Sequence, residues 1–419
     1  MKYTYRGRFA AHAQPLTSLR YKPANGTPKA MTVTQAPQSK APSVKIAKPY
    51  VDDEIILNVD SILRSGLFVQ GRYVKQFETD LSKYLGARYV IAVNSGTAAL
   101  HCSILAARNA RWNRDRRRSE VPEVVTTPLS FAATANAVIH ADCKPVFADV
   151  NEETFNLDPD LADEKIGEGT IAVEPVDVYG LPAELEKFNS IARARNILVV
   201  EDAAEAIGAS VRGRKIGTIS DLTCFSTYAT KNLHTGEGGF ISTESKELTE
   251  QMEMIRSQGQ SSRYNHKTLG YNFRMLEMAA AIGIPQVRLI DELNSKRREN
   301  AMTLRERLGK LDALTFQRVD DPSEHAWYML ALKLDERKAP ISRDALVAKL
   351  RQEGIEADVS WPVPIHLQPY FRETFGFKEG DYPVSERICR SVFQLPIQPF
   401  LTEEEVRRVA STVSDLLSH

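Results

Sequence analysis

Apolar and polar positions along the chain alternate between short apolar runs and stretches of helical period. From Ile46 onward, "YVIAVNS", "EVVTTP", "KPVFADV", "IAVEPVDVYG", "NILVVEDAAEAIGA", "DLTCFST" and "GGFIST" predict strands. Between them, "AALHCSILAA", "FAATANAVIHA" and "LEKFNSIARAR" predict helices. Alternating strand and helix argue for an α/β fold, a mostly parallel sheet covered by helices. A long helical stretch is expected from about Phe273 to Leu308, kinked or interrupted near Gly283 and Pro285. After it, "AWYMLALKL", "ISRDALVAKLRQEG" and "TEEEVRRVASTVSDLLS" predict a smaller α+β domain. The expected units are residues 1–45, 46–295 and 296–419.

The first of these units has a different pattern. It carries eight Lys or Arg and no acid before Asp52, with no sustained period. That composition predicts a disordered basic extension. An organelle transit peptide shares the same signature, and Met31 is an alternative start. In the whole chain Lys+Arg and Asp+Glu both number 54, so net charge points to no polyanionic partner such as nucleic acid. The four cysteines are widely spaced with no CxxC, which signals neither a zinc site nor a disulfide framework and suits the cytoplasm. No apolar run is long enough to span a bilayer. Motifs of the type GxxxxGK[ST], HExxH and GxSxG are absent, and no GxGxxG follows a strand.

Candidate chemistry sits where predicted strands end. In "NSGTAALHCSILAA" a turn at Gly96 and Thr97 opens a helix, a geometry that binds phosphate, although an ordinary N-cap uses the same residues. Phe131 follows another strand and is placed to stack on a flat ring, or to pack in a core. Glu201 and Asp202 end "ILVVED", where ligands of open α/β sheets bind. A carboxylate there can keep a pyridine nitrogen protonated, or can cap a helix. Lys231 lies between the hydroxyl-rich "STYAT" and the glycines of "GEGG". A half-buried lysine with a lowered pKa is a nucleophilic amine able to form a Schiff base; an exposed loop lysine is the plain alternative. In that chain order, phosphate turn, aromatic, acid and lysine describe a pyridoxal 5′-phosphate (PLP) site.

The segments "SGTAAL", "PVFADVNEETFNLDP", "VYGLPAE", "VVEDAAEAIGA", "FSTYATKNLHTGEGGFIST", "GYNFRMLEMAAAIG", "HAWYMLALKL" and "HLQPYF" carry a resemblance. From about Ile46 to the C-terminus the chain resembles the DegT/DnrJ/StrS family of PLP-dependent sugar aminotransferases. The resemblance implies the PLP-dependent transferase fold type I, with a seven-stranded, mostly parallel sheet in the large domain. It implies PLP bound covalently at Lys231, which would also shuttle a proton. Asp202 would pair with the ring nitrogen and Phe131 would stack on the ring. Gly96, Thr97 and Ser226 would hold the phosphate, and Glu205 would lie at the cofactor. Asn272 would reach the phosphate from the neighbouring subunit, which makes the enzyme a homodimer. His366 and Tyr179 would face the sugar. The implied reaction moves an amino group, from L-glutamate, onto a keto group of a nucleotide-linked sugar, in particular a 4-keto-6-deoxy sugar.

Two positions depart from the family pattern. Many members carry Gln where this chain has Glu205; Glu occurs in some that resemble perosamine synthases. Many carry His where Asp177 stands. Related dehydratases replace the lysine with His, so Lys231 argues against that branch, and a catalytically silent sugar-nucleotide binder is a further alternative. The run "RNARWNRDRRR" holds six Arg between Arg108 and Arg118; capture of a nucleotide diphosphate or nucleic acid is one reading, and solvated cations complementing the dipole at the carboxyl end of a predicted helix are the preferred one.

Overall fold

The computed structural model describes residues 43–69, 71–112 and 121–418, all within one compact unit. Seven strands form one sheet. Their spatial order is Tyr89–Val93, Gly239–Thr243, Leu222–Ser226, Leu198–Asp202, Thr170–Glu174, Glu123–Thr126 and Lys144–Phe147. Gly239–Thr243 is antiparallel to both neighbours, and every other pairing is parallel. The carboxyl ends of the parallel strands therefore share one edge with the start of the reversed strand. The register places Gly239 beside both Val93 and Ser226, and Asp202 beside Cys224.

Two apolar cores cover the sheet's faces. One gathers Phe77, Leu81, Val125, Val173, Phe188, Val199, Phe225 and Phe240. The other is built on the Gly96–Arg111 helix, in which every residue from Ala98 to Ala107 is buried. Ser95 caps that helix, its hydroxyl accepting from the Ala98 N–H at 3.1 Å. The helices expected within residues 131–141 and 185–195 are present as Ala133–His140 and Leu185–Arg195.

The long helical stretch differs from expectation. Residues 271–276 are extended rather than helical, with bridges Ser257↔Asn272, Val93↔Arg274 and Val69↔Leu276. Pairing with the edge strand at Val93 and with the segments at Ser257 and Val69 satisfies their backbone and outcompetes a helix. Two helices follow, Glu277–Val287 and Ile290–Leu308. Pro285 sits inside the first, and the break comes after it.

The expected boundary at 295/296 falls inside the Ile290–Leu308 helix. Ile290 belongs to the first core, whereas Ala301, Leu304 and Leu308 join the C-terminal core. That C-terminal core lies between a three-stranded antiparallel sheet, ordered Leu314–Phe316, Leu330–Leu334, Val392–Leu395, and the helices Arg343–Gln352 and Glu403–Ser418.

Most of the N-terminal extension, and residues 113–118 of the arginine run, lie outside the described residues. The expected end of the extension at 45 needs correcting, because Val44 is fully buried and pairs in parallel with Ile355. Arg108 and Arg111 do lie in the last turn of their helix. Arg108 donates to the Ala141 carbonyl at 2.6 Å and pairs with Asp142 at 2.9 Å. Among the described residues no helix is long and apolar enough to cross a membrane.

Candidate active site

The site forms at the shared edge of strand ends. Val93 leads through Ser95 into the Gly96–Arg111 helix, whose first N–H groups, at Gly96 and Thr97, have no intrahelical partner. A Cβ on Gly96 would stand 2.8 Å from the Ser226 Cβ. The missing side chain therefore lets the helix end and Ser226 form one small concave surface. Gly239 holds this turn against the sheet; a Cβ there would lie 2.6 Å from the Ser95 carbonyl and 2.7 Å from the Gly96 nitrogen.

Asp202 ends its strand and is 4% exposed. Its Oδ2 accepts from the Thr134 hydroxyl at 2.8 Å, and its Oδ1 from the Ala204 N–H at 3.2 Å. Thr134 is itself 2.7 Å from the Ser130 hydroxyl. Burial pushes the Asp202 carboxyl above its ordinary value, while these donors and Lys231 draw it back. The adjacent Glu201 points to the other face, where Thr223 donates to it at 2.8 Å and Asp177 is near. Pleating thus decides which of the two neighbouring acids faces the site.

Lys231 follows the Leu222–Ser226 strand. Its Nζ lies 3.0 Å from Glu205 Oε1 and 4.2 Å from the centre of the Tyr328 ring. The Glu205 Oε2 accepts from the Tyr179 N–H at 2.9 Å. The Tyr328 hydroxyl is 3.0 Å from that of Thr230. The expectation of a lowered lysine pKa is overturned. Burial alone pushes the ammonium down, but Glu205, Tyr328 and Asp202 outweigh it and hold it above the ordinary value.

Phe131 is 67% exposed, three residues before the Thr134 that bonds Asp202. A ring free of core packing is available to cover a flat ligand. Asn272 is exposed, and its carbonyl accepts from the side chain of Asn94 at 3.3 Å, just before the phosphate-type turn.

Two candidate sugar contacts are not where a substrate could touch them. His366 has no exposed surface; its Nε2 is 3.2 Å from Glu386 and its ring packs against Tyr382. Burial lowers its pKa, with Glu386 opposing. Tyr179 is equally buried, stacked at 5.0 Å on Trp361, with its hydroxyl accepting from Gln394. What Tyr179 offers the site is its backbone N–H. Both corrections share one cause: packing of the C-terminal region over these rings. Asp177 is buried as well, accepting from the Ala183 N–H, and burial with nearby Glu201 keeps its carboxyl well above the ordinary range.

Thr134, Ser130 and Tyr328 escaped the sequence reading. Thr134 had a signal, one helical turn beyond Phe131. Tyr328 had none, since its link to Lys231 spans nearly a hundred residues.

These groups fit a phosphorylated pyridine aldehyde. The helix end with Ser226 suits the phosphate. A buried acid drawn toward neutrality accepts a protonated ring nitrogen as its missing cation. The amine lies between them in the chain's topology, beside Glu205.

Comparison with known proteins agrees. SpsC, a spore coat polysaccharide biosynthesis protein of Bacillus subtilis, is 33% identical over 88% of this chain and 96% of its own. GDP-perosamine synthase of Caulobacter vibrioides is 31% identical over 90% of this chain and 100% of its own. The structure of Helicobacter pylori PseC, an aminotransferase involved in the biosynthesis of pseudoaminic acid, superposes with a TM-score of 0.82 at 26% identity. That match covers 90% of this chain and 99% of PseC. With its strand order, its strand-end acid and lysine, and a family match over residues 49–414, the chain belongs to the DegT/DnrJ/EryC1/StrS aminotransferase family.

Proposed function

We propose that the protein transfers an amino group from an amino acid, L-glutamate, to a keto group of a nucleotide-linked sugar, with PLP carried covalently on Lys231. The observation that carries this reading is the meeting of Lys231, Glu205 and Asp202 beside the concave surface of Gly96 and Ser226. The cofactor, when bound, supplies an electron sink and a temporary store for the amino group. The chain's own residues do the rest. Asp202, oriented by Thr134, holds the proton on the ring nitrogen. Lys231 moves the proton at the reacting carbon of the substrate. Gly96, Thr97 and Ser226 bind the phosphate, and Phe131 covers the ring.

A 4-keto-6-deoxy sugar is the preferred acceptor, supported by Glu205 and by the likeness to GDP-perosamine synthase. A homodimer with shared sites, Asn272 serving the partner's phosphate, is supported by apolar residues left exposed on the Asp53–Ser65 helix and at Leu276, which bridges Val69. Leu57 is 67% exposed, Leu63 55% and Leu276 47%. The cysteines, all buried and unpaired, support the cytoplasm.

The test is direct. The purified protein should be yellow, and borohydride should fix the cofactor's mass on Lys231. With glutamate and a panel of nucleotide-linked keto sugars it should yield an amino sugar and 2-oxoglutarate. A colourless protein that forms no amino sugar, or one in which Lys231→Ala works normally, overturns the reading.

A further inference from the structure

Glu205 meets two donors at once. Its Oε1 lies 3.0 Å from Lys231 Nζ and its Oε2 accepts from the Tyr179 N–H at 2.9 Å. The side chains of Lys231 and Glu205 are 14% and 12% exposed, so solvent screens the pair weakly. The backbone around Glu205 is specific. Tyr179 holds a left-handed φ of 60°, and a Cβ on Gly180 would stand 2.8 Å from the Glu205 carbonyl. The turn at 179–180 is thereby pressed onto the 205 loop, and the carboxylate cannot swing away without losing its backbone donor.

We infer that Glu205 is a positioning residue that keeps the Lys231 nitrogen protonated across neutral pH in the resting enzyme, before substrate binds. The inference rests on Lys231 being the cofactor-bearing amine. The other charged and titratable groups facing that nitrogen are Asp202 from its strand end and Tyr328 from the C-terminal region; Arg297, on the Ile290–Leu308 helix, acts on Tyr328. Asp202 already has the Thr134 and Ala204 donors to satisfy, and Tyr328 offers a ring face. Of these groups, Glu205 alone is a carboxylate side chain in hydrogen-bond contact with the amine. A glutamine here cannot supply that charge. An amide has one accepting oxygen for two donors, and if that oxygen stays with Tyr179, the NH2 group faces the lysine nitrogen donor to donor.

The experiment is a pH titration of the visible absorption of the yellow holoenzyme, wild type against Glu205→Gln, from pH 5 to 10. The absorption reports whether the cofactor-linked nitrogen carries its proton. Wild type should keep one spectral form through pH 8. The variant's midpoint should fall by about one to three pH units, the effect of removing an opposite charge at contact distance. The alkaline limb of kcat/KM for glutamate should move with it. Tm should stay close to wild type, because the amide oxygen still accepts from Tyr179. A purely structural role would lower Tm and leave the midpoint in place, which overturns the inference, as does a midpoint equal in both proteins. A wild-type protein whose colour and borohydride adduct are missing from Lys231 instead overturns the assignment of the lysine, whatever Glu205 does.

Discussion

Glu174 ends the strand beside Asp202's and is entirely buried, with no hydrogen-bond partner for either carboxyl oxygen. The Thr126 hydroxyl donates to the Glu174 backbone carbonyl at 2.9 Å and partly opposes the effect of burial on the carboxyl. Burial, reinforced by the nearby Asp202, holds the Glu174 carboxyl well above the ordinary range. The sign of the consequence follows from proton counts. Above the ordinary glutamate value of about 4.3 the unfolded chain has lost this proton, whereas the native fold retains it. The stability tied to Glu174 is therefore fully present below that value and falls as pH rises toward the folded value. Each pH unit in that window costs about 1.4 kcal/mol.

Glu174→Gln removes the proton equilibrium while keeping the shape. Between pH 5.0 and 6.5 wild type should lose more stability than the variant, at a limiting slope of about 1.4 kcal/mol per pH unit while the folded carboxyl keeps its proton. Asp177, Glu201 and Asp202 have raised values too, and their slopes of the same sign are common to both proteins. Any cost of burying the amide is the same at each pH, so the difference in slopes isolates Glu174. Urea unfolding of cofactor-free protein at the two pH values measures it, read as the shift in midpoint times the m-value. Parallel pH profiles in wild type and variant would refute the argument, because Glu174 would then lose its proton in the fold as readily as in the unfolded chain.

Three further outcomes are expected. Gly239→Ala places a Cβ within 2.7 Å of the Ser95 carbonyl, the Gly96 nitrogen and the Phe225 carbonyl, all backbone atoms. It should cost about 1–3 kcal/mol and weaken cofactor binding, measured by Tm and by PLP titration, while Gly169→Ala, with nothing nearer than 3.6 Å, is tolerated. Thr134→Val strips Asp202 Oδ2 of its donor and should slow turnover on the order of tenfold, about 1.4 kcal/mol in the barrier, with Thr134→Ser restoring it. Mixing and refolding Lys231→Ala with Asn272→Ala should restore activity to about a quarter of wild type, since half of the random dimers carry one intact site; no gain over the parents in proven hybrids removes the shared-site dimer.

Much of the fold was readable because it is written locally. Apolar runs such as "YVIAV" and "ILVV" are long enough to be strands and too short to be helices, and their alternation with helical segments specifies a parallel sheet. Strand ends are also where such sheets bind ligands, so Gly96, Asp202 and Lys231 were marked by chain order alone. Contacts between distant segments decided the rest. Glu205 reaches Lys231 across 26 residues and Thr230 reaches Tyr328 across 98, and no local pattern encodes either. The lysine's proton follows from those contacts, which is why burial alone suggested the wrong direction. His366 and Tyr179 read as polar, reachable side chains, yet the C-terminal region closes over both. Periodicity states which residues share a face of one element. What covers that face, and which charge ends beside which, depends on elements far away in the chain, and only their packing settles it.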